Sequence, residues 1–214
     1  MMNFGENKNK MILEACVESF SEALAAQKAG ANRIELCENL AVGGTTPSYG
    51  TIKLCCSELK IPVVVMVRSR GGNFVYTKEE FEIMKEDILV CKQLGVSAVI
   101  FGLLTSQNQI DISRNRALVE LAYPMQSVFH KAFDEVENVC EALEILIKEG
   151  FTRILTSGGK TTAREGADVI NKLIVQVNNR ISIMAAGKIT YENLMEHQKI
   201  INAHEFHGRR IVNF

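Results

Sequence analysis

The chain has 214 residues, 47% of them hydrophobic, and a formal net charge of -1. That is enough apolar sequence for a substantial core in one domain, and the near-neutral charge without a long basic run argues against nucleic acid or an anionic membrane surface as the main partner. The longest apolar runs, such as Val63 to Val67, are of strand length and too short to cross a bilayer, so the sequence predicts a soluble, intracellular protein.

Met1 to Lys10 is polar and mixed in charge and reads as a short disordered lead, with residues 11–214 as one domain. From there short apolar strands alternate with amphipathic helical stretches, the pattern of an α/β fold with a parallel sheet. Strands are expected near 11–16, 32–37, 62–68, 97–102, 126–130, 152–156, 181–186 and 203–207. Helices are expected near 20–30, 48–59, 78–94, 112–122, 137–149, 163–178 and 191–200. Ser19 with Glu22, Thr77 with Glu80 and Thr162 with Glu165 fit capping boxes at helix starts. Gly30, Gly95 and Gly150 each stand just before a strand, where positive φ stops a helix, and the segments around them look alike. A recurrence every two βα units favours a (β/α)8 TIM barrel. Its last helix is expected to be truncated or missing, because only Gly208 to Phe214 follow the eighth strand. An open, doubly wound sheet competes, although no G-x-G-x-x-G follows the first strand.

Either architecture binds ligands at the carboxyl ends of its strands. Alternation puts Glu14 and Cys16 on one face of the first strand, Arg33, Glu35 and Cys37 on the second, and Met66 and Arg68 on the third. The same rule pairs Val128 with His130, Ile154 with Thr156, and Glu205 with His207 on the fifth, sixth and eighth. Leu13, Ile34, Leu36, Val65, Val67, Phe129, Leu155 and Phe206 are left for the layer beneath the helices. Burying Glu14, Glu35 and Glu205 is costly without partners, which Arg68, Arg70, His130 and His207 can supply. Such a ring is either a ligand pocket or a self-satisfied network that holds the barrel together.

Two loops favour a pocket. Arg68-Ser69-Arg70-Gly71-Gly72-Asn73-Phe74 offers two arginines to a carboxylate or phosphate, and Thr156-Ser157-Gly158-Gly159-Lys160 can hold an anion on backbone amides. His130 and Asp134, four residues apart, can pair as acid and base if their loop folds back, while Lys131 has the wrong strand parity to face the pocket. No serine stands in a G-x-S-x-G elbow. Of the six cysteines, Cys55, Cys56, Cys91 and Cys140 fall in expected helices and read as small apolar fillers. Cys16 and Cys37 end neighbouring strands, where two thiolates, with Met66 or a histidine as a third donor, make a soft site of the kind that selects Cu(I).

At these residues the sequence resembles the CutC family, named for copper homeostasis. The likeness runs from about Ile12 to His207. It covers Arg33-Ile34-Glu35-Leu36-Cys37, Gly43-Gly44-Thr45-Thr46-Pro47-Ser48, Arg68 to Phe74, Phe129-His130-Lys131-Ala132-Phe133-Asp134, Ile154 to Gly158 and Glu205-Phe206-His207. The resemblance implies a TIM barrel, a cytoplasmic location, a Cu(I) site at Cys16 and Cys37, and self-association as a homodimer or larger assembly. The polar ring keeps a second expectation open. It is an enzyme of unknown reaction on a small anionic substrate, phosphorylated or not, held by Arg68 and Arg70. There Glu35, His130 and Asp134 are the catalytic candidates, and Glu14, Thr156, Ser157, Glu205 and His207 complete the pocket.

Overall fold

A computed structural model describes residues 11–214, and the disordered lead expected over residues 1–10 lies outside the described residues. The strands are β1 (Ile12–Val17), β2 (Arg33–Leu36), β3 (Val63–Met66), β4 (Ala98–Phe101), β5 (Gln126–Phe129), β6 (Arg153–Thr156), β7 (Ser182–Ala185) and β8 (Glu205–Gly208). They are followed in turn by α1 (Phe20–Lys28), α2 (Tyr49–Glu58), α3 (Lys78–Gln93), α4 (Ile112–Ala122), α5 (Val139–Lys148), α6 (Ala167–Val177) and α7 (Leu194–Ile200). All strands run parallel in chain order, and β8 pairs with β1, so the sheet closes into a (β/α)8 barrel. No helix follows β8 among the described residues. The barrel closes without one: Tyr191 N donates to Arg210 O at 2.8 Å, and Ile211 and Val212 join the apolar layer outside the sheet. No helix among the described residues is long and apolar enough to cross a membrane.

Alternation along the strands divides the core into two shells. Ile34, Leu36, Val65, Val67, Val99, Phe129 and Phe206 face outward and pack with the helices, whose buried residues recur at helical spacing, as Ala142, Leu143 and Leu146 do in α5. Cys16, Cys37, Val64, Met66, Ala98, Ile100, Val128, Leu155 and Met184 fill the barrel. Strand β6 reverses the expected parity: Leu155 lies in the inner shell and Ile154 in the outer one. The run Arg153-Ile154-Leu155-Thr156 has two apolar residues flanked by two polar ones, so its pattern fits either face, and pairing of Arg153 with Val128 of β5 selects the register.

The three glycines end α1, α3 and α5 in one geometry. Gly30, Gly95 and Gly150 take φ of +97°, +72° and +88°. Each donates to the residue three back, while the next residue donates to the one five back: Ala31 to Ala26, Val96 to Cys91, Phe151 to Leu146. This is the Schellman motif, and its recurrence is the sequence repeat made physical. Of the three capping boxes, Thr77 and Glu80 form the complete reciprocal pair. Ser19 accepts from Glu22 N, but the Glu22 carboxylate takes Glu18 N instead. Thr162 and Glu165 bond reciprocally around a turn, and α6 begins only after Gly166, four residues later than expected.

Candidate metal and ligand site

The barrel interior carries its polar residues at two levels. At the lower level, near the strand starts, Arg33 donates to both Glu14 and Glu205, and Arg153 Nε stands 3.1 Å from Glu205. Ser182 Oγ donates to Glu205 at 2.5 Å, and Arg153 Nη2 donates to Gln126 at 2.8 Å. Burial raises the Glu14 carboxyl, but Arg33 and His207 beside it outweigh that and hold it at about 2. The alternation expected for β6 points Arg153 outward, and the reversed parity brings it into the barrel instead.

The upper level holds the sulfurs. Strand register sets Cys16 of β1 opposite Glu35 of β2, and Cys37 continues the ladder by donating its N–H to Val17 O at 2.9 Å. The two Sγ atoms are 3.9 Å apart, and together with a Glu35 oxygen all three ligand atoms lie within 4.8 Å of one another, on buried residues. His207 joins the two levels, with Nδ1 3.0 Å from Glu14 and Nε2 3.5 Å from Glu35. Burial works against a charge on His207, but Glu35, Cys16 and Glu14 around it outweigh that and raise its pKa well above the ordinary histidine value. Burial also raises Glu35, only partly opposed by His207. The Cys16 thiol is pushed up by its contact with Cys37, by burial and by Glu35. Cys37 is drawn down by Cys16, yet burial and Glu35 prevail and lift it to about 11.

Above the sulfurs is a cavity of about 170 Å³ walled by Cys16, Glu35, Cys37, Met66, Phe74, His130, Leu155 and His207 among others. It meets a mouth of about 620 Å³ across Gly43, Phe74 and Lys131, which line both. His130 caps a short 3-10 turn, Lys131–Glu135, by accepting Ala132 N–H on Nδ1 at 3.2 Å. Its ring lies where a Cβ on Gly102 would be, 2.7 Å from Nδ1. Burial first, and then the nearby Arg68 charge, depress the His130 pKa to about 3, so the ring is neutral. Arg68 is buried and donates to the carbonyls of Val42, Gly44 and Gly72 at 3.0, 2.9 and 2.6 Å, with Phe74 stacked on it.

Three groups expected to serve the pocket are engaged elsewhere. His130 and Asp134 do not pair. Asp134 instead accepts from Thr156 Oγ1 at 2.5 Å, from the amides of Ser157 and Gly159, and from Ser157 Oγ and Lys131 Nζ. The glycine-rich loop after β6 does hold an anion, but that anion is the protein's own Asp134, so Thr156 and Ser157 are already engaged. Burial raises Asp134, and these donors, Lys131 first, outweigh it and lower its pKa. Arg70 turns away from the mouth to Glu80 at 2.6 Å and to the carbonyls of Gly71, Asn73 and Val75. Lys131, set aside on parity, lines the mouth and the inner cavity, because β5 stops at Phe129 and strand alternation no longer governs the turn.

A closed eight-stranded parallel barrel defines a TIM-barrel protein, and here thiols, a carboxylate and imidazoles are gathered toward the carboxyl ends of its strands. Comparison with known proteins is consistent with that class and narrows it. The model of the CutC family matches residues 11–212, and the chain belongs to that family. It is 43% identical over 199 residues to the human copper homeostasis protein cutC homolog, covering 93% of this chain and 73% of the relative. It is 41% identical over 209 residues to a CutC family protein of Enterococcus faecalis, covering 94% of this chain and all of the relative. The crystal structure of a CutC protein from Streptococcus agalactiae superposes with a TM-score of 0.90 at 40% identity, over 94% of this chain. An aldolase, QR15, shares the barrel alone, with a TM-score of 0.68 at 15% identity.

Proposed function

We propose that this protein binds Cu(I) as cargo through Cys16 and Cys37, in the cytoplasm and as a homodimer or larger homo-oligomer, in a copper-homeostasis role. The observation that carries the reading is the buried pair of sulfurs 3.9 Å apart. That separation is inside the limit of roughly 4.6 Å for one ion held by two thiolates at about 2.3 Å each. Soft sulfur ligands favour Cu(I), and Glu35 stands within reach as a harder third donor. All six cysteines are free thiols, which suits a reducing compartment. Because both thiols hold their protons at neutral pH, loading releases two of them, and Cu(I) affinity rises about 100-fold per pH unit. Competition against a Cu(I) chelator between pH 6 and 8 measures that slope. Cys16→Ser combined with Cys37→Ser abolishes the binding; equal affinity in parent and double variant would remove the proposal. Sedimentation equilibrium tests the self-association, and a monomer at all concentrations removes that part.

A second reading is favoured by Arg68, a buried guanidinium that has no carboxylate partner among the described residues. In it the mouth takes a small anion, with Glu35 and His130 as the acid-base candidates beside it and Asp134 fixing the loop. Thermal shift with a panel of small anions, on the parent and on Arg68→Ala, tests this reading; no stabilisation specific to the parent counts against it.

A further inference from the structure

The chain between β2 and α2 folds back over the sulfurs. Its base is closed by Glu38 N donating to Thr45 O at 3.0 Å and Thr45 N donating in return to Glu38 O at 2.6 Å. Between these ends Leu40–Val42 form a single 3-10 turn, tied together by Val42 N to Asn39 O, Gly43 N to Leu40 O and Gly44 N to Asn39 O. Left-handed residues flank the turn: Asn39 has φ of 54°, and Gly43 and Gly44 have 91° and 88°. The tip is thus an internally bonded unit on a fixed base.

This tip lies directly on the site. A Cβ on Gly44 would stand 3.4 Å from Cys37 Sγ and 3.5 Å from Leu40 Cδ2, and Leu40 packs on the inner shell that contains both sulfurs. Cys37 beneath it has no exposed surface, whereas Ala41 to Gly43 are exposed. The inner cavity of about 170 Å³ has two larger neighbours, and the tip borders the way to each. Gly43 lines both the inner cavity and the mouth, while Leu40 lines both the inner cavity and a further one of about 540 Å³ beside the ends of β7 and β8.

Two charged residues hold the tip from outside. On one side Arg68, which is buried, donates through Nη1 to Val42 O and Gly44 O at 3.0 and 2.9 Å. On the other, Glu18 Oε1 accepts Leu40 N–H at 2.7 Å, and Arg209 Nη2 donates to the second Glu18 oxygen at 2.7 Å. Leu40 opens its turn, so its amide has no partner within the turn and depends on Glu18. The Glu18–Arg209 pair is at the surface, where water and salt compete for it, so this side is the weaker of the two.

We propose that residues 39–44 are a lid on the sulfur pair, latched by Glu18, plugged by Leu40 and hinged at Gly43-Gly44 beside Arg68. Cys37 is reached when the latch lets go. A cavity of roughly 150 Å³ holds benzene, so the inner cavity admits only a molecule of about that size while the lid is shut. Any larger thiol that exchanges with Cys37 needs it open. The lid is independent of what the sulfurs carry, and it stands or falls apart from the copper reading.

The test measures thiol access in the reduced, metal-free full chain. Labelling by iodoacetamide is followed in time at each cysteine by peptide mass spectrometry, in the parent, in Glu18→Ala and in Leu40→Ala. Cys91, fully buried in the outer shell, reports opening of the whole fold. Labelling of a buried thiol follows the population of the open form. Removing the charged acceptor or the plug is expected to raise the Cys37 rate by about tenfold or more, with the Cys91 rate unchanged. An unchanged Cys37 rate in both variants overturns the lid, and so does a rise matched by an equal rise at Cys91. A rise in Leu40→Ala alone overturns the latch. Should one variant not fold, the other decides between lid and no lid.

Discussion

The two polar levels of the barrel use similar residues in opposite ways. At the lower level two carboxylates, Glu14 and Glu205, meet two guanidiniums, Arg33 and Arg153, so the charges balance, although Arg153 Nη1 is buried without a hydrogen-bond partner among the described residues. At the upper level Arg68 has no carboxylate, His130 keeps a bare N–H, Glu35 is raised by burial, and two protonated thiols face one another. A buried charge network stabilises only when it closes on itself. The lower level balances its charges and so serves the fold; the upper level leaves Arg68 without a carboxylate.

The largest effect should come from breaking the closed level. Arg33→Met leaves Glu14 and Glu205 buried beside too little positive charge and is expected to cost about 3–5 kcal/mol in urea unfolding. A loss below about 1 kcal/mol would erase the distinction between the levels. Next is His130, whose pKa falls from 6.5 to about 3 on folding. An imidazole that must stay neutral contributes stability in full above pH 6.5, and that stability drains away as the pH falls toward 3, on the order of 4 kcal/mol across the window. Glu14, lowered from 4.5 to about 2, adds acid sensitivity only below pH 4.5. The difference in unfolding free energy between the parent and His130→Phe from pH 6.5 to 4.5 therefore isolates the imidazole; a flat difference would show that its ring is solvated. The smallest effect should have the opposite sign. Burial raises Glu35, so its carboxylate costs stability once ionised, and Glu35→Gln is expected to gain about 0.5–1 kcal/mol near neutral pH. A loss as large as that of Arg33→Met would place Glu35 in the closed level instead.

Most of the barrel was legible because strands with one apolar and one polar face announce their own orientation. Glu14 and Cys16, Glu35 and Cys37, and Glu205 and His207 gave the parity of β1, β2 and β8 outright. Strand β6 did not, since Ile154 and Leu155 are equally apolar and only pairing across to Val128 and Ser182 decides between them. The loops were least legible. Nothing in Arg68-Ser69-Arg70 says that the first arginine turns inward while the second closes on Glu80, because that choice depends on carbonyls brought from Val42, Gly44, Asn73 and Val75. Likewise, the anion-holding form of the loop after β6 was readable, whereas its occupant, Asp134, arrives from a different turn.

At the end of β4, a Cβ on Gly102 would stand 2.7 Å and 2.8 Å from the His130 ring and 2.9 Å from Phe129 Cζ. A single methyl group introduced there, on a neighbouring strand and outside the set of polar residues, would swing the imidazole like a weathervane. The heading of that ring is thus governed by a residue that has no side chain of its own.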